Sequence, residues 1–134
     1  MVDTPDLQTS EQSSVVLYVE DNKANVFLMQ QVVKRVQGVE LLIAETAEAG
    51  VEIAVERRPN LVVMDINLPG MDGFEALELM KGTAETNNIP VIALSADAMP
   101  HQVEKGLKTG FVAYLTKPLD IPEFLTMLQD LLQK

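Results

Sequence analysis

The side chains of this sequence that could do chemistry each follow a short apolar run. They are Glu20 and Asp21 after residues 15–19, Asp65 after 61–64, Ser95 after 91–94, and Lys117 shortly after 111–115. Carboxylates hold hard ions such as Mg²⁺, and a carboxylate can also attack phosphorus to form an aspartyl phosphate. A transferred phosphoryl group needs positive charge and hydrogen-bond donors, which Mg²⁺, a lysine and a serine would supply. These residue types therefore indicate metal-assisted phosphoryl chemistry, provided that the fold brings them together.

Five short apolar runs predict the strands of a buried sheet. They occupy residues 15–19, 41–44, 61–64, 91–94 and 111–115. They are rich in β-branched residues and do not alternate with polar ones, which is typical of strands covered on both faces. Segments with helical periodicity separate them, so the order is (βα)₅ and the predicted fold is α/β, with a single doubly wound parallel five-stranded sheet. Ligands of such sheets bind at the carboxyl ends of the strands, which places the reactive residues at one edge.

Apolar residues spaced three or four apart predict which face of each helix is buried. For the first helix the predicted stripe is Ala24, Leu28, Val32 and Val36. For the fourth helix it is Val103 and Leu107. The last helix has the clearest stripe, formed by Ile121, Phe124, Leu125, Leu128 and Leu132. Asn22 is the predicted N-cap of the first helix, because a short polar side chain is favoured there.

The composition excludes several classes of partner and site. Ten basic residues against twenty acidic ones leave a net charge of −10, which argues against nucleic-acid and membrane-surface binding. With no cysteine and one histidine, disulfides, Cys-ligated metals and two-histidine sites are excluded. No apolar run approaches the roughly 18 residues that a membrane helix needs. Residues 1–14 are polar and predict a disordered tail, followed by one domain at 15–134 of a cytoplasmic protein.

Four motifs, in their order and spacing, resemble the receiver domains of two-component response regulators. They are VEDNKAN, MDINLPGMDGFE, LSADA and YLTKP, and the resemblance covers about residues 14–133. It implies the flavodoxin-like fold of CheY-like receivers, with strand order 2-1-3-4-5. The EDNxxN opening and the SADAMP segment resemble, within that family, the receivers of hybrid histidine kinases.

The resemblance implies a site for a phosphoryl group and a metal ion. Asp65 is implied to be the phosphoacceptor. Asp21 and Asp65 are implied to bind Mg²⁺ or Mn²⁺ directly, and Glu20 through a water molecule. Asn67 would contribute its backbone carbonyl to the metal, and it would also tune the lifetime of the phosphorylated state.

The resemblance also implies a switch. Lys117 would bind the phosphoryl group, and its peptide bond to Pro118 would be cis. The Ser95 hydroxyl and the Tyr114 ring would move on phosphorylation. Asp97, two residues after Ser95, is expected at the rim of the site, where it would tune the lifetime by ordering or repelling a water molecule.

The implied function is a signalling switch rather than an enzyme. A histidine kinase or a histidine phosphotransfer protein would donate the phosphoryl group. The face made by the fourth helix, the fifth strand and the fifth helix would then bind a downstream protein. The domain would catalyse only its own phosphotransfer and dephosphorylation, and no DNA-binding output domain is expected after the last helix.

Two other functions use similar residues or a similar fold. A haloacid-dehalogenase-type phosphohydrolase also has an Asp nucleophile, a Ser/Thr and a Lys in this order. It needs a second Asp two residues after the first, where this sequence has Asn67. A flavin-binding module needs a phosphate loop after the first strand, where Glu20 and Asp21 would repel a phosphate.

Simpler structural roles also remain open for several of these residues. Glu20 and Asp21 could only favour the start of the first helix, whose N-terminus attracts acids. Ser95 could cap the fourth helix, in competition with Asp97. Tyr114 could be a static core residue, because apolar residues flank it.

Overall fold

A parallel five-stranded sheet with helices on both faces forms the centre of the structure, a computed structural model that describes residues 13–97 and 99–132. The elements in chain order are β1 (Ser14–Val19), α1 (Lys23–Val33), β2 (Val39–Ala44), α2 (Ala47–Arg57), β3 (Leu61–Asp65), α3 (Gly73–Lys81), β4 (Val91–Ser95), α4 (Pro100–Thr109), β5 (Ala113–Thr116) and α5 (Ile121–Leu132). The strand order is β2-β1-β3-β4-β5, and all neighbouring strands are parallel. The predicted α/β class and the 2-1-3-4-5 order are therefore confirmed.

The first strand begins one residue earlier than predicted. Ser14 pairs with Val39 as the first residue of β1, so it belongs to the sheet and not to the predicted tail. Residues 1–12, which make up most of the predicted tail, lie outside the described residues.

The sheet is buried on both faces, which explains why its central strands are apolar without alternation. Consecutive strand residues point to opposite faces. Leu17 and Val19 therefore pack on the side of α2 and α3, while Val16 and Tyr18 pack on the side of α1 and α5. Every residue of β3 and β4 is buried. Of the helices in the described residues, none is both long and apolar enough to cross a membrane.

The structure buries only part of the α1 face that the sequence predicted. Val32 is buried and Val36 packs against the core, as predicted. Met29 and Val33 are buried, whereas Ala24 is exposed and Leu28 is 40% exposed. Adjacent positions differ by about 100° around a helix axis. Because α1 is apolar around much of its circumference, with an exposed Phe27 beside Leu28, its periodicity did not distinguish between the two faces.

The segment between α4 and β5 also differs from the prediction. Gly110 ends α4 with a φ of 128°, a value that favours glycine, and β5 starts only at Ala113. Phe111, predicted in the strand, is buried before the strand begins and packs edge-on against Phe74 at 5.6 Å between ring centroids. Leu107, predicted to be buried, is 48% exposed.

The starts of α1 and α4 test two predictions about helix caps. Asn22 caps α1, as predicted, because its side chain accepts a hydrogen bond from the Asn25 amide. No side-chain hydrogen bond caps α4, which starts with Pro100. The alternative that Ser95 or Asp97 caps the fourth helix is therefore wrong.

We expect Phe124→Ala to lower the free energy of unfolding by about 3–5 kcal/mol, because the fully buried ring packs between α5 and the sheet. Phe27 is the matched control: its ring is 62% exposed. Phe27→Ala should change the free energy of unfolding by less than about 0.5 kcal/mol. Urea denaturation of both variants and the parent measures the difference. Equal losses in the two variants would contradict the described packing of α5.

Candidate functional site

Three carboxylates converge at the carboxyl ends of β1 and β3. Glu20 and Asp21 directly follow β1, and Asp65 is the last residue of β3, the neighbouring strand. One carboxylate oxygen from each of the three lies within 4.8 Å of the other two. Glu20 and Asp65 are only 1% and 3% exposed, whereas Asp21 is exposed. The fold thus brings together the three acids that the sequence singled out and withdraws two of them from water.

Lys117 places a positive charge between the two buried acids. Its Nζ lies 3.0 Å from Asp65 Oδ2 and 3.2 Å from Glu20 Oε1. The Lys117 amide donates to the Ser95 carbonyl at 2.8 Å, just beyond the end of β5. The peptide bond between Lys117 and Pro118 is cis. The lysine side chain thus reaches from the edge strand β5 back to the ends of β1 and β3.

The Glu20 carboxylate has more partners than the sequence indicated. Its Oε1 accepts hydrogen bonds from the Tyr18 hydroxyl at 2.9 Å, Asn25 Nδ2 at 3.3 Å and Lys117 Nζ at 3.2 Å. Its Oε2 accepts from the Asn22 amide at 3.2 Å. Neither Tyr18 nor Asn25 stood out in the sequence as a site residue. One signal was available for Tyr18, because residues two apart share a strand face and a buried tyrosine hydroxyl needs a partner.

Burial and neighbouring charge drive the pKa values of the two buried acids apart. Burial raises the pKa of Asp65, and the Glu20 carboxylate adds to the rise, while the Asn67 amide and Lys117 offset only part of it. Burial acts on Glu20 too, but a hydrogen bond with the Asp65 carboxyl, then those from Tyr18 and the Asn22 amide, and the Lys117 charge hold the pKa of Glu20 below its usual range. Burial opposes the charge of Lys117, yet the two carboxylates outweigh it and raise the pKa of the lysine. Asp65 is therefore the acid whose ionisation costs the folded state most.

A chain of hydrogen bonds connects Asp65 to Tyr114. The Asn67 amide donates to Asp65 Oδ1 at 2.9 Å, and Ser95 Oγ donates to Asn67 Oδ1 at 3.2 Å. Ser95 Oγ accepts in turn from the Asp97 amide at 3.0 Å. The half-buried Tyr114 donates its hydroxyl to the Asp97 carbonyl at 3.0 Å. Asn67, Ser95, Asp97 and Tyr114, all singled out from the sequence, thus form one connected network. In this network Asp97 joins Ser95 of β4 to Tyr114 of β5.

The donor set fits a hard divalent cation. Glu20, Asp21 and Asp65 offer oxygen atoms only, and within the described ranges no histidine or cysteine joins their cluster. Oxygen ligands are those that Mg²⁺ and Mn²⁺ prefer. Lys117 compensates one of the three negative charges, so the cluster keeps a negative charge that a cation would neutralise. The arrangement is able to hold a cation next to Asp65.

Comparison with known proteins reveals similarity over most of the chain. A family model for the response regulator receiver domain matches residues 16–129. The polar-differentiation response regulator DivK of Brucella anthropi is 34% identical over 117 residues, which make up 87% of this chain and 94% of DivK.

Two solved structures are similar in fold and contain a metal ion. The receiver domain of a sensor histidine kinase from Pseudomonas aeruginosa PAO1 is 27% identical, with a TM-score of 0.82 over 91% of this chain and 99% of that one. It has a magnesium ion coordinated in its active site cleft. The Mn²⁺-bound form of response regulator Rcp1 is 31% identical, with a TM-score of 0.70 over 87% of this chain and 90% of that one.

We expect Asp65→Asn to be more stable than the parent at neutral pH without divalent cations. Because folding raises the pKa of Asp65, its ionised form destabilises the folded state at every pH above that raised value. Repulsion between two carboxylates about 5 Å apart amounts to about 1–3 kcal/mol at intermediate dielectric. The lost contact with Lys117 offsets part of this, so the expected net gain is about 1 kcal/mol.

The stability difference between the variant and the parent should shrink as the pH falls toward 3.8, the ordinary pKa of the carboxyl. At that pH Asp65 of the parent becomes protonated and is then as neutral as the asparagine. Urea denaturation between neutral pH and pH 3.8 measures this difference in the free energy of unfolding, with Asp130→Asn on the exposed side of α5 as the control. Mg²⁺ at ten times its dissociation constant should stabilise the parent by roughly 1.4 kcal/mol, and the Asp65 variant far less. A gap that does not change with pH, or a parent indifferent to Mg²⁺ at constant ionic strength, would contradict this account of the site.

Proposed function

This chain belongs to the response regulator receiver family of two-component signalling, and on that premise we propose that it is a phosphoaccepting switch. Asp65 accepts a phosphoryl group from a histidine kinase or from a histidine phosphotransfer protein, in a cytoplasmic setting. The observation that carries this proposal is the 3.0 Å contact between Lys117 Nζ and Asp65 Oδ2 beside two further carboxylates. A nucleophile, a cation for the phosphoryl group and metal ligands meet at one point of the sheet edge.

In the proposed reaction a carboxylate oxygen of Asp65 attacks the phosphorus of a phosphohistidine. The new P–O bond forms as the P–N bond breaks, and the imidazole leaves with the electron pair of that bond. The phosphoryl group brings almost two negative charges next to Glu20 and Asp21, so it needs compensating positive charge. Lys117 supplies part of that charge, and a bound divalent cation would neutralise the rest.

The proposed metal ligands divide into direct and indirect ones. Asp21 and Asp65 would be direct ligands, together with the backbone carbonyl of Asn67. Glu20 would act through a water molecule, which agrees with the three donors that already occupy its Oε1. The metal ions of the Pseudomonas receiver and of Rcp1 support Mg²⁺ or Mn²⁺ as the ion.

The network between Asp65 and Tyr114 supports a route for the switch. A phosphoryl oxygen is a stronger acceptor than an amide oxygen, so the Ser95 hydroxyl would turn from Asn67 toward the phosphoryl group. This turn would remove the acceptor of the Asp97 amide, and the Asp97 carbonyl is the partner of Tyr114. The Tyr114 ring would then move. Asn67 and Asp97 border the reaction and would set the lifetime of the phosphorylated state.

The proposed partner surface is the face of α4, β5 and α5. Met99, just before α4, and Leu107 on α4 are 56% and 48% exposed, and such apolar side chains favour a protein partner. A nucleic acid or a membrane is not proposed as a partner, because the net charge of −10 would repel both.

The identity of residue 67 favours a switch over a phosphohydrolase. Asn67 stands where a hydrolase of the haloacid-dehalogenase type has its acid, and its side-chain oxygen accepts a hydrogen bond from Ser95. An amide has no carboxyl proton to give to a leaving group. The catalysis proposed for this domain is therefore limited to its own phosphotransfer and dephosphorylation.

Asp65 is expected to be the sole phosphoacceptor. Incubation with acetyl phosphate and Mg²⁺ should add one phosphoryl group to the parent, as measured by intact-protein mass spectrometry. Asp65→Asn should take up none, because an amide is a poor nucleophile, whereas the exposed Asp130→Asn should behave like the parent. Uptake by Asp65→Asn at the rate of the parent would refute the assignment.

Lys117→Ala is expected to accept phosphoryl but to lose most of the conformational response. The lysine contacts Asp65 through its ammonium and Ser95 through its amide, so it joins the reacting group to β5. In amide NMR spectra, the shifts that phosphorylation causes around Tyr114 should shrink severalfold. Lys108→Ala removes the same charge from an exposed position of α4 and should leave these shifts unchanged. A full response in phosphorylated Lys117→Ala would exclude the lysine from the switch.

A further inference from the structure

We propose that Tyr18 is a positioning residue of this site, whose hydroxyl holds the Glu20 carboxylate in place for the cation and leaves Lys117 available for a phosphoryl group. The part that concerns the cation depends only on the acidic cluster. The part that concerns Lys117 rests on the proposed phosphoacceptor function.

The Tyr18 hydroxyl is a donor whose position is set by the core. Tyr18 is 2% exposed and packs with residues of α1 and α5 on one face of the sheet. Glu20, two residues further along, lies on the same side, and the hydroxyl donates to its Oε1 at 2.9 Å. This is the shortest of the four hydrogen bonds that the carboxylate accepts from described residues. A ring fixed by packing therefore sets the position of a charged group at the sheet edge.

The hydrogen bonds are divided unequally between the two oxygens of Glu20. Oε1 has three donors, whereas Oε2 accepts only from the Asn22 amide at 3.2 Å among the described residues. A carboxylate has about two acceptor sites on each oxygen. Oε1 is therefore saturated, and Oε2 keeps capacity for a cation or for its bound water. Tyr18 contributes to this division because it engages one oxygen and not the other.

Lys117 is shared between Glu20 and Asp65, and a phosphoryl group would compete for it. The ammonium lies 3.2 Å from Glu20 Oε1 and 3.0 Å from Asp65 Oδ2. A phosphoryl group on Asp65 would attract it away from Glu20, which would then depend on neutral donors. Asn25 is a weak replacement, because it is half-buried and its contact is 3.3 Å long. Tyr18 is the donor that stays in place when the lysine moves.

Tyr18→Phe tests this role, because it keeps the ring and removes only the donor. Loss of a hydrogen bond in the outer shell of a metal site typically weakens metal affinity by about 10-fold or more. Glu20 belongs to that outer shell, because it would reach the ion through a bound water molecule. We therefore expect Mg²⁺ to bind unphosphorylated Tyr18→Phe about 10-fold more weakly than the parent, as measured by calorimetry or by amide NMR titration. At saturating Mg²⁺ the rate of phosphoryl uptake from acetyl phosphate should still fall severalfold in Tyr18→Phe, because Glu20 without the hydroxyl competes more strongly for Lys117. A tyrosine that merely fills the core would leave the Mg²⁺ dissociation constant unchanged.

Two further variants separate positioning from general damage to the core. Phe124→Leu changes a core residue of the same cluster as Tyr18 and leaves all four donors to Glu20 in place, so it should leave the Mg²⁺ dissociation constant unchanged. In a Glu20→Gln background, Tyr18→Phe should have no further effect on Mg²⁺ affinity, because the group through which it acts is no longer charged.

An unchanged Mg²⁺ dissociation constant in Tyr18→Phe, or an equal loss in the Glu20→Gln background, would overturn the proposal. Both Mg²⁺ dissociation constants, in Tyr18→Phe and in the Glu20→Gln background, are measured on unphosphorylated protein. If Asp65 proves not to accept phosphoryl, the proposed function fails while the result on Mg²⁺ affinity stands.

Discussion

Charge crowding at the carboxyl ends of β1 and β3 is the constraint on which the rest of the site depends. Glu20 and Asp65 are withdrawn from water beside a third acid, and one ammonium lies between them. An ionised carboxylate in a protein interior needs donors or cations around it. The Tyr18 hydroxyl, the Asn67 amide and Lys117 meet part of that need. The negative charge that they leave uncompensated is the physical reason that a divalent cation fits here.

The sheet supplies the rigidity that such crowding requires. All residues of β3 and β4 are buried, so the ends of these strands have little freedom to relieve repulsion by moving apart. The loop after Asp65 is equally constrained. A Cβ atom at Gly73 would lie 2.9 Å from the Cα of Ile66 and 3.3 Å from the Asp65 carbonyl oxygen. The chain thus folds back closely on the end of β3 before α3 begins, and the packing of the backbone contributes to the position of Asp65.

On the side of β4 and β5, a chain of single hydrogen bonds connects the site to Tyr114 and α4. A Cβ atom at Gly106 would lie 2.6 Å from the ring of Tyr114, so α4 rests directly on that ring. The Tyr114 hydroxyl holds the carbonyl of Asp97, whose amide holds Ser95. Movement of Ser95 would therefore reach both the ring and the helix above it. Single hydrogen bonds hold Ser95, Asp97 and Tyr114 together, whereas close packing holds the ring against α4.

The sequence by itself determined the architecture and the main charged residues of the site, because both follow from local patterns. Buried strands appear as unbroken apolar runs, and residues that end parallel strands meet at one edge, as Glu20, Asp65 and Lys117 do. Only the tertiary structure decided which face of α1 is buried, since that helix is apolar on more than one side. It alone also paired the Tyr18 hydroxyl with Glu20 and linked Ser95 to Tyr114. The orientation of a helix about its axis and the partner of a side chain are set by packing between elements distant in the chain, and no local pattern contains that information.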